Sequence, residues 1–166
     1  MSTPPTAPHV TECFLLRNNP PQVLLGRKKR GLGAGKIVGI GGKIEAGETA
    51  TQAALRELYE ETGVRVDESW MQARGVVDFR FPNKPAWSMV AHIYVCEQWH
   101  NEPHETDEIA PVWCDLEAIP YAQMWADARY WLRGMLSREV NDGQIDAIFT
   151  FNDDNATIQS MEFRSI

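Results

Sequence analysis

Arg56, Glu57, Glu60 and Glu61 fall within six consecutive residues of the stretch GKIEAGETATQAALRELYEETGV, residues 42–64. Thr49 with Gln52 three residues on has capping-box spacing, and Gly63 is placed as a left-handed stop, so a helix is predicted over 49–62. At about 100° per residue, with Glu57 at zero, Glu60 falls near −60° and Glu61 near +40°. Ala54, Leu55, Leu58 and Thr62 fall between about +60° and +160° and are expected to dock on a sheet. Like charges at this spacing cost a helix a few tenths of a kcal/mol each. Arg56, four residues before Glu60, is the obvious counter-charge. A solvated acidic face is the plain structural reading. The chemical reading is a divalent-cation site, because hard cations such as Mg²⁺ take carboxylate, carbonyl and water oxygens. A polyphosphate would then bind through the cation, although the chain carries a net charge of −7.

Other candidate chemistry is sparser. Arg27, Lys28, Lys29 and Arg30 are four cations in a row, with Lys36 and Lys43 nearby, and two or three of the four are expected to be solvated. GLGAGK, residues 31–36, has neither dinucleotide-fingerprint nor Walker spacing and reads as a flexible loop. Trp125 offers a stacking face and Asp127 a hydrogen-bonding carboxyl; a core aromatic and a helix N-cap are the bland readings of the pair. His100 and His104 flank Pro103 with no helix to align them on a metal. Cys13, Cys96 and Cys114 are far apart and odd in number, which fits buried thiols in a reducing, cytoplasmic setting.

Elements must position these groups. VTECFLL and QVLLGRKK read as a hairpin, IVGI as a short apolar segment, and residues 71–81 and 87–96 as a second hairpin. A polar loop, HNEPHETDE, leads into a strand around APVWCDL. Ala128, Trp131, Leu132 and Met135 predict a helix within 127–140, and QIDAIFTF with ATIQSMEF a closing hairpin. Residues 1–8 read as a flexible tail and 9–166 as one domain. At 166 residues, 43% hydrophobic, with mean hydropathy −0.36, the chain is long enough for a real core. A pI near 5.1 argues against duplex nucleic acid as a partner. No apolar run reaches the roughly 18–20 residues of a membrane span, and MSTPPTAPHV has no signal-peptide pattern. The oligomeric state is not specified.

Residues 42–64 resemble the Nudix box, G-x5-E-x7-R-E-U-x-E-E-x-G-U, at Gly42, Glu48, Arg56, Glu57, Leu58, Glu60, Glu61, Gly63 and Val64. With residue frequencies of about 5–10%, such a match arises by chance on the order of once in a billion start points. LLGRKKRGLGAGK, ETDEIAPVW and IPYAQMWADARYW further resemble the Nudix subgroup that hydrolyses oxidised purine nucleoside triphosphates. The resemblance implies an α/β fold, an α/β/α sandwich with a mixed sheet. It implies a Mg²⁺-dependent pyrophosphohydrolase, with Mn²⁺ as a substitute, that releases monophosphate and pyrophosphate and cleans the nucleotide pool. Its ligand is a small nucleotide, not a nucleic-acid polymer or a membrane.

Carried over residue by residue, the resemblance makes Glu57, Glu61 and the Gly41 carbonyl metal ligands, with Glu60 a further one. Arg56 orients a carboxylate, and Glu48 supports from behind. Glu108 is a ligand or the general base, a task that a glutamate of the helix could equally perform. Lys28, Trp125 and Asp127 are assigned to the substrate, with Phe79, Phe81, Met89 and Phe151 lining its pocket. The chain departs from the subgroup at Val38 (Asn there), Ala128 (Asp there), and Leu32 and Ile37 (bulky aromatics there). Two polar readers of the base are therefore missing, and altered base choice is expected. Two alternatives stay open: hydrolysis of another nucleoside diphosphate-X, such as a nucleotide sugar or dinucleoside polyphosphate, and a non-catalytic nucleotide sensor.

Overall fold

The computed structural model describes residues 7–164. Of the expected tail, residues 1–6 lie outside the described residues; Pro8 is already tied to the sheet, its carbonyl accepting from the Val90 N–H at 3.0 Å. Eight strands and two helices follow: β1 (His9–Arg17), β2 (Gln22–Lys28), β3 (Ile37–Val38), α1 (Ala50–Thr62), β4 (Gln72–Arg80), β5 (Met89–Cys96), β6 (Ile109–Asp115), α2 (Ala128–Leu136), β7 (Ile145–Phe151) and β8 (Ile158–Phe163). The sheet is mixed, in the order β3-β2-β1-β5-β4-β7-β8, with β6 on the other edge of β2. The three hairpins read from the sequence are all present and antiparallel. Less expected is that β1 spends most of its length parallel to β5, from His9↔Val90 to Leu15↔Cys96, and meets β2 at Leu16↔Val23 and Arg17↔Gln22.

Because β2 leaves β1 so soon, the rest of that edge is open, and residues 40–44 fill it. Cys13 and Thr11 N–H groups donate to the Ile40 and Gly42 carbonyls (2.7 and 2.9 Å), and the Ile44 N–H donates to His9 (3.0 Å). This short segment runs directly in front of α1.

Each face of the sheet carries one helix. Period-2 alternation sends Cys13 and Leu15 into a cluster with Ala54, Leu58 and Val64 of α1 and the residues just after it. It sends Val10 and Phe14 into the larger cluster with Trp131, Leu132 and Met135 of α2. Helix α1 has the expected ends. Thr49 and Gln52 make both capping-box bonds, and Gly63 closes the helix at φ 77°. The polar loop after β5 satisfies the last carbonyls: Asn101 Nδ2 donates to Gly63, the His104 N–H to Thr62 and the Thr106 hydroxyl to Glu61.

Two expectations need correcting. Helix α2 ends at Leu136, not near 140, because Arg138 is left-handed (φ 61°) and the Glu139 N–H turns back to Gly134. On α1, Leu55 is half-exposed and Ala53 is buried. The covered arc therefore runs from about −40° to +140° and contains Glu57 and Glu61. These carboxylates are not beside the buried face; they are part of it.

Candidate active site

Glu57 and Glu61 face the segment that closes the edge of β1. The Gly41 N–H donates to Glu61 Oε2 at 3.1 Å. A Cβ on Gly42 would stand 2.5 Å from the Glu57 carboxyl carbon, so a side chain there would occupy the carboxylate's own space. A Cβ on Gly41 would stand 1.7 Å from the Thr11 carbonyl oxygen. The two glycines thus allow three backbones to approach: β1, the segment and α1. The contrast gives a prediction. Gly41→Ala must move backbone and should cost about 3 kcal/mol or more of stability. Gly42→Ala need displace only a side chain, so its melting temperature should stay within a few degrees of wild type. Its turnover should fall about a hundredfold, because Glu57 is pushed aside. Calorimetry and steady-state kinetics on both variants check this.

Arg56 binds the acidic groups together. Its Nε and Nη2 donate to the two oxygens of Glu48 (2.7 and 2.9 Å), and its Nη1 donates to Glu57 (2.9 Å) and Glu60 (3.2 Å). Nη2 also reaches the Lys43 carbonyl at 3.0 Å. Hydrogen bonds from Arg56 hold the Glu48 carboxyl down at about 2. Burial raises Glu57 above the usual carboxylate range, against the pull of Arg56. Glu61 is pushed up to about 8, first by burial and then by the charge of Glu57, with the Gly41 N–H and Lys28 opposing. Two carboxylates that resist ionising side by side, next to a backbone carbonyl left out of the β1 ladder, suit a hard divalent cation with water completing its shell. Among the described residues, no three His, Cys, Asp or Glu side chains form a ready-made cage. Glu60 points outward, 54% exposed, held by Arg56. Glu108 is 51% exposed and pairs with Arg30 at 3.4 Å, yet its charge is felt at Glu61.

Glu61, Gly41 and Gly42 also line a cavity of about 500 Å³, to which β1 and α2 contribute as well. All the other substrate-facing candidates line it: Lys28, Phe79, Phe81, Met89, Trp125, Asp127 and Phe151. Phe81 stacks on Phe151 (centroids 4.3 Å apart), and Trp125 stands edge-on to both. Trp125 is therefore a packed aromatic and a cavity wall at once. Of the four consecutive cations, Arg27 donates to Gly35 and Gln123, Lys29 is paired with Glu105 and Arg30 with Glu108, which leaves Lys28 to the cavity. The glycine loop is bound by the Lys36→Gly33 and Gly35→Lys28 backbone bonds, and its Leu32 reaches the cavity. His100 pairs with Asp67, and His104 covers Gly63.

Asp127 occupies the N-cap position of α2 but makes no capping bond. Its side chain turns inward, 3% exposed; Oδ2 accepts from Trp131 Nε1 at 2.8 Å, and Oδ1 is buried with no hydrogen-bond partner among the described residues. Burial pushes its carboxyl up to about 7. The folded state therefore holds a proton that the unfolded chain releases, so stability drops as pH rises from about 4 to about 7. Asp127→Asn removes this term. Relative to that variant, the free wild-type protein should lose on the order of a few kcal/mol across this window and then level off. A melting-temperature difference that stays flat with pH contradicts the assignment.

Sequence reasoning missed Thr11 and Glu12, which also line the cavity. The signal for Glu12 was available: in VTECFLL it shares the inward alternation of Val10 and Phe14. Burial pushes its carboxyl up to about 8, aided by the charge of Asp127 and opposed by Lys28. Val38, Ala128, Leu32 and Ile37, the departures noted above, line the same space.

A carboxylate pair on a short helix, opening into an aromatic-walled cavity within an α/β/α sandwich, defines a hydrolase of the Nudix type. Residues 7–135 match the NUDIX domain model, and the chain belongs to the Nudix family. It is similar to an oxidized purine nucleoside triphosphate hydrolase of Danio rerio, 46% identical over 72% of this chain and 75% of that protein. It is similar also to the protein of that name from Mus musculus, 40% identical over 89% of each chain. In fold it resembles a MutT protein from Bacillus halodurans, with a TM-score of 0.77 at 23% identity over 94% of this chain and 97% of that one. Nudix hydrolases generally use a divalent metal. Among the described residues, no helix is long and apolar enough to cross a membrane.

Proposed function

We propose that this protein hydrolyses purine nucleoside triphosphates, oxidised ones included, to monophosphate and pyrophosphate with Mg²⁺, or Mn²⁺ in its place, and so cleans the nucleotide pool. One observation carries the reading: a single cavity is lined by aromatic side chains, Asp127, Lys28 and Glu61 together. The activity named for the fish and mouse relatives supports it. Glu57, Glu61 and the Gly41 carbonyl would hold the cation, with Glu60 and Glu108 as outer groups. Held there, such a cation would neutralise phosphate charge and make water a better nucleophile. Arg56 fixes the carboxylates, with Glu48 holding Arg56 in turn. Lys28 offsets charge on the phosphates, Trp125 gives the base a stacking face, and Asp127 hydrogen-bonds its edge. Phe79, Phe81, Met89 and Phe151 keep water from the ring. Three buried free thiols support a reducing, cytoplasmic setting.

The test is a panel of normal and oxidised nucleoside triphosphates, nucleotide sugars and dinucleoside polyphosphates assayed with Mg²⁺. Monophosphate and pyrophosphate from a purine triphosphate are expected. Turnover of the other classes alone, or of none, rejects the reading.

A further inference from the structure

We propose that Glu12 reads the base together with Asp127, so that the protein selects a purine offering N–H donors to both carboxyl groups. This rests on the cavity being the nucleotide site, and it names the recognition that the losses at Val38 and Ala128 leave open. Strand β1 places Glu12 on the face that carries Val10 and Phe14, and its side chain lines the cavity. Among the described residues its carboxyl makes no hydrogen bond; it only feels the charges of Lys28 and Asp127. Glu12 is half-buried, and holding a carboxyl against a largely apolar lining without a hydrogen bond costs stability that an apolar residue would not cost. Asp127 repeats the pattern from the start of α2: one oxygen is held by Trp131, and the other is buried with no hydrogen-bond partner among the described residues.

Two carboxyl groups on separate elements, each with an oxygen open to an N–H, share a lining that is mostly apolar and aromatic, with Lys28 and Glu61 among its other polar groups. A ring with N–H groups at two positions satisfies both. A ring with one such group leaves a carboxyl desolvated and unpaired, which is how a polar site rejects a wrong ligand. The missing Asn and Asp of the subgroup are thereby replaced from β1.

The experiment measures kcat/KM for the triphosphate panel, and calorimetric binding of the matching nucleoside monophosphates, with wild type, Glu12→Leu and Glu12→Gln. Glu12→Leu should shrink the spread of kcat/KM between bases about thirtyfold or more, mainly through KM, and leave the Mg²⁺ dependence unchanged. Glu12→Gln should re-rank the bases and keep part of the spread, because an amide both donates and accepts. Wild-type ranking retained by Glu12→Leu in both turnover and binding overturns the proposal. If wild type cleaves no triphosphate, but monophosphate binding still depends on Glu12, the proposed reaction falls and the base-reading role stands. If neither turnover nor Glu12-dependent binding is found, both fall.

Discussion

Glu61→Gln should lower turnover by about three orders of magnitude while the folded protein survives or gains stability. The amide is nearly isosteric and its oxygen can still accept from the Gly41 N–H, now at 3.1 Å. What disappears is a negative charge that burial and Glu57 oppose in the free protein. A carboxyl held at about 8 keeps a proton in the folded state, so wild type should lose stability relative to the variant as pH rises from about 4.5 to about 8. Cations reverse the order: Mg²⁺ should raise the melting temperature of wild type at pH 8 and leave that of Glu61→Gln almost unmoved. If the charge supplies about 4 kcal/mol through the cation, its loss is about a thousandfold in rate. Wild-type activity in the variant, or an equal Mg²⁺ shift in both proteins, contradicts the metal assignment.

Arg56→Met should be the most destabilising single change among the charged side chains of α1. It leaves Glu48, Glu57 and Glu60 facing one another with their shared partner gone. Breaking a half-buried pair of this kind costs about 2 kcal/mol, less than full burial would because the groups are partly screened. For a chain of this size that lowers the melting temperature by about 4–8 °C. Glu48, held near 2 in the wild type, gives the sign with pH. Its contribution is present above the ordinary carboxylate range and lost as pH falls toward 2. The gap between wild type and variant should therefore close in acid. Arg56→Lys should restore charge but not the two-pronged grip on Glu48, and so recover only part of the stability. A gap that is independent of pH, or full recovery by lysine, would tell against this arrangement.

Local signals in the sequence carried most of the fold. Thr49, Gln52 and Gly63 set the ends of α1 because capping chemistry is local, and alternation found the hairpins because register follows the buried face. The parallel pairing of β1 with β5 was not legible, since it joins segments about 80 residues apart that nothing local links. The length of α2 failed at Arg138, a residue type that gives no warning of a left-handed turn. In the site, the carboxylates of α1 and Arg56 stood out by their spacing, and Gly41 only through the resemblance to the Nudix box. Their burial was not legible, because it depends on residues 40–44 being laid against α1 by β1. Glu12 carried the alternation it shares with Val10 and Phe14, but a lone carboxylate in a strand points to no chemistry until the cavity is seen.

The segment that fills the edge of β1 follows β3, whose Val38 lines the cavity, and brings Gly41 and Gly42 up against α1 on the same lining. With a nucleotide held as proposed, the segment would set the distance from the ring to the scissile bond in main chain, pinned to β1 by the Thr11, Cys13 and Ile44 backbone bonds. Side chains on β1 and α2 can then be exchanged to retune which ring is welcomed, while the point of scission along the phosphate tail stays put. A one-residue insertion between Val38 and Gly42 should accordingly move the cut, or abolish it, without changing which ring is held.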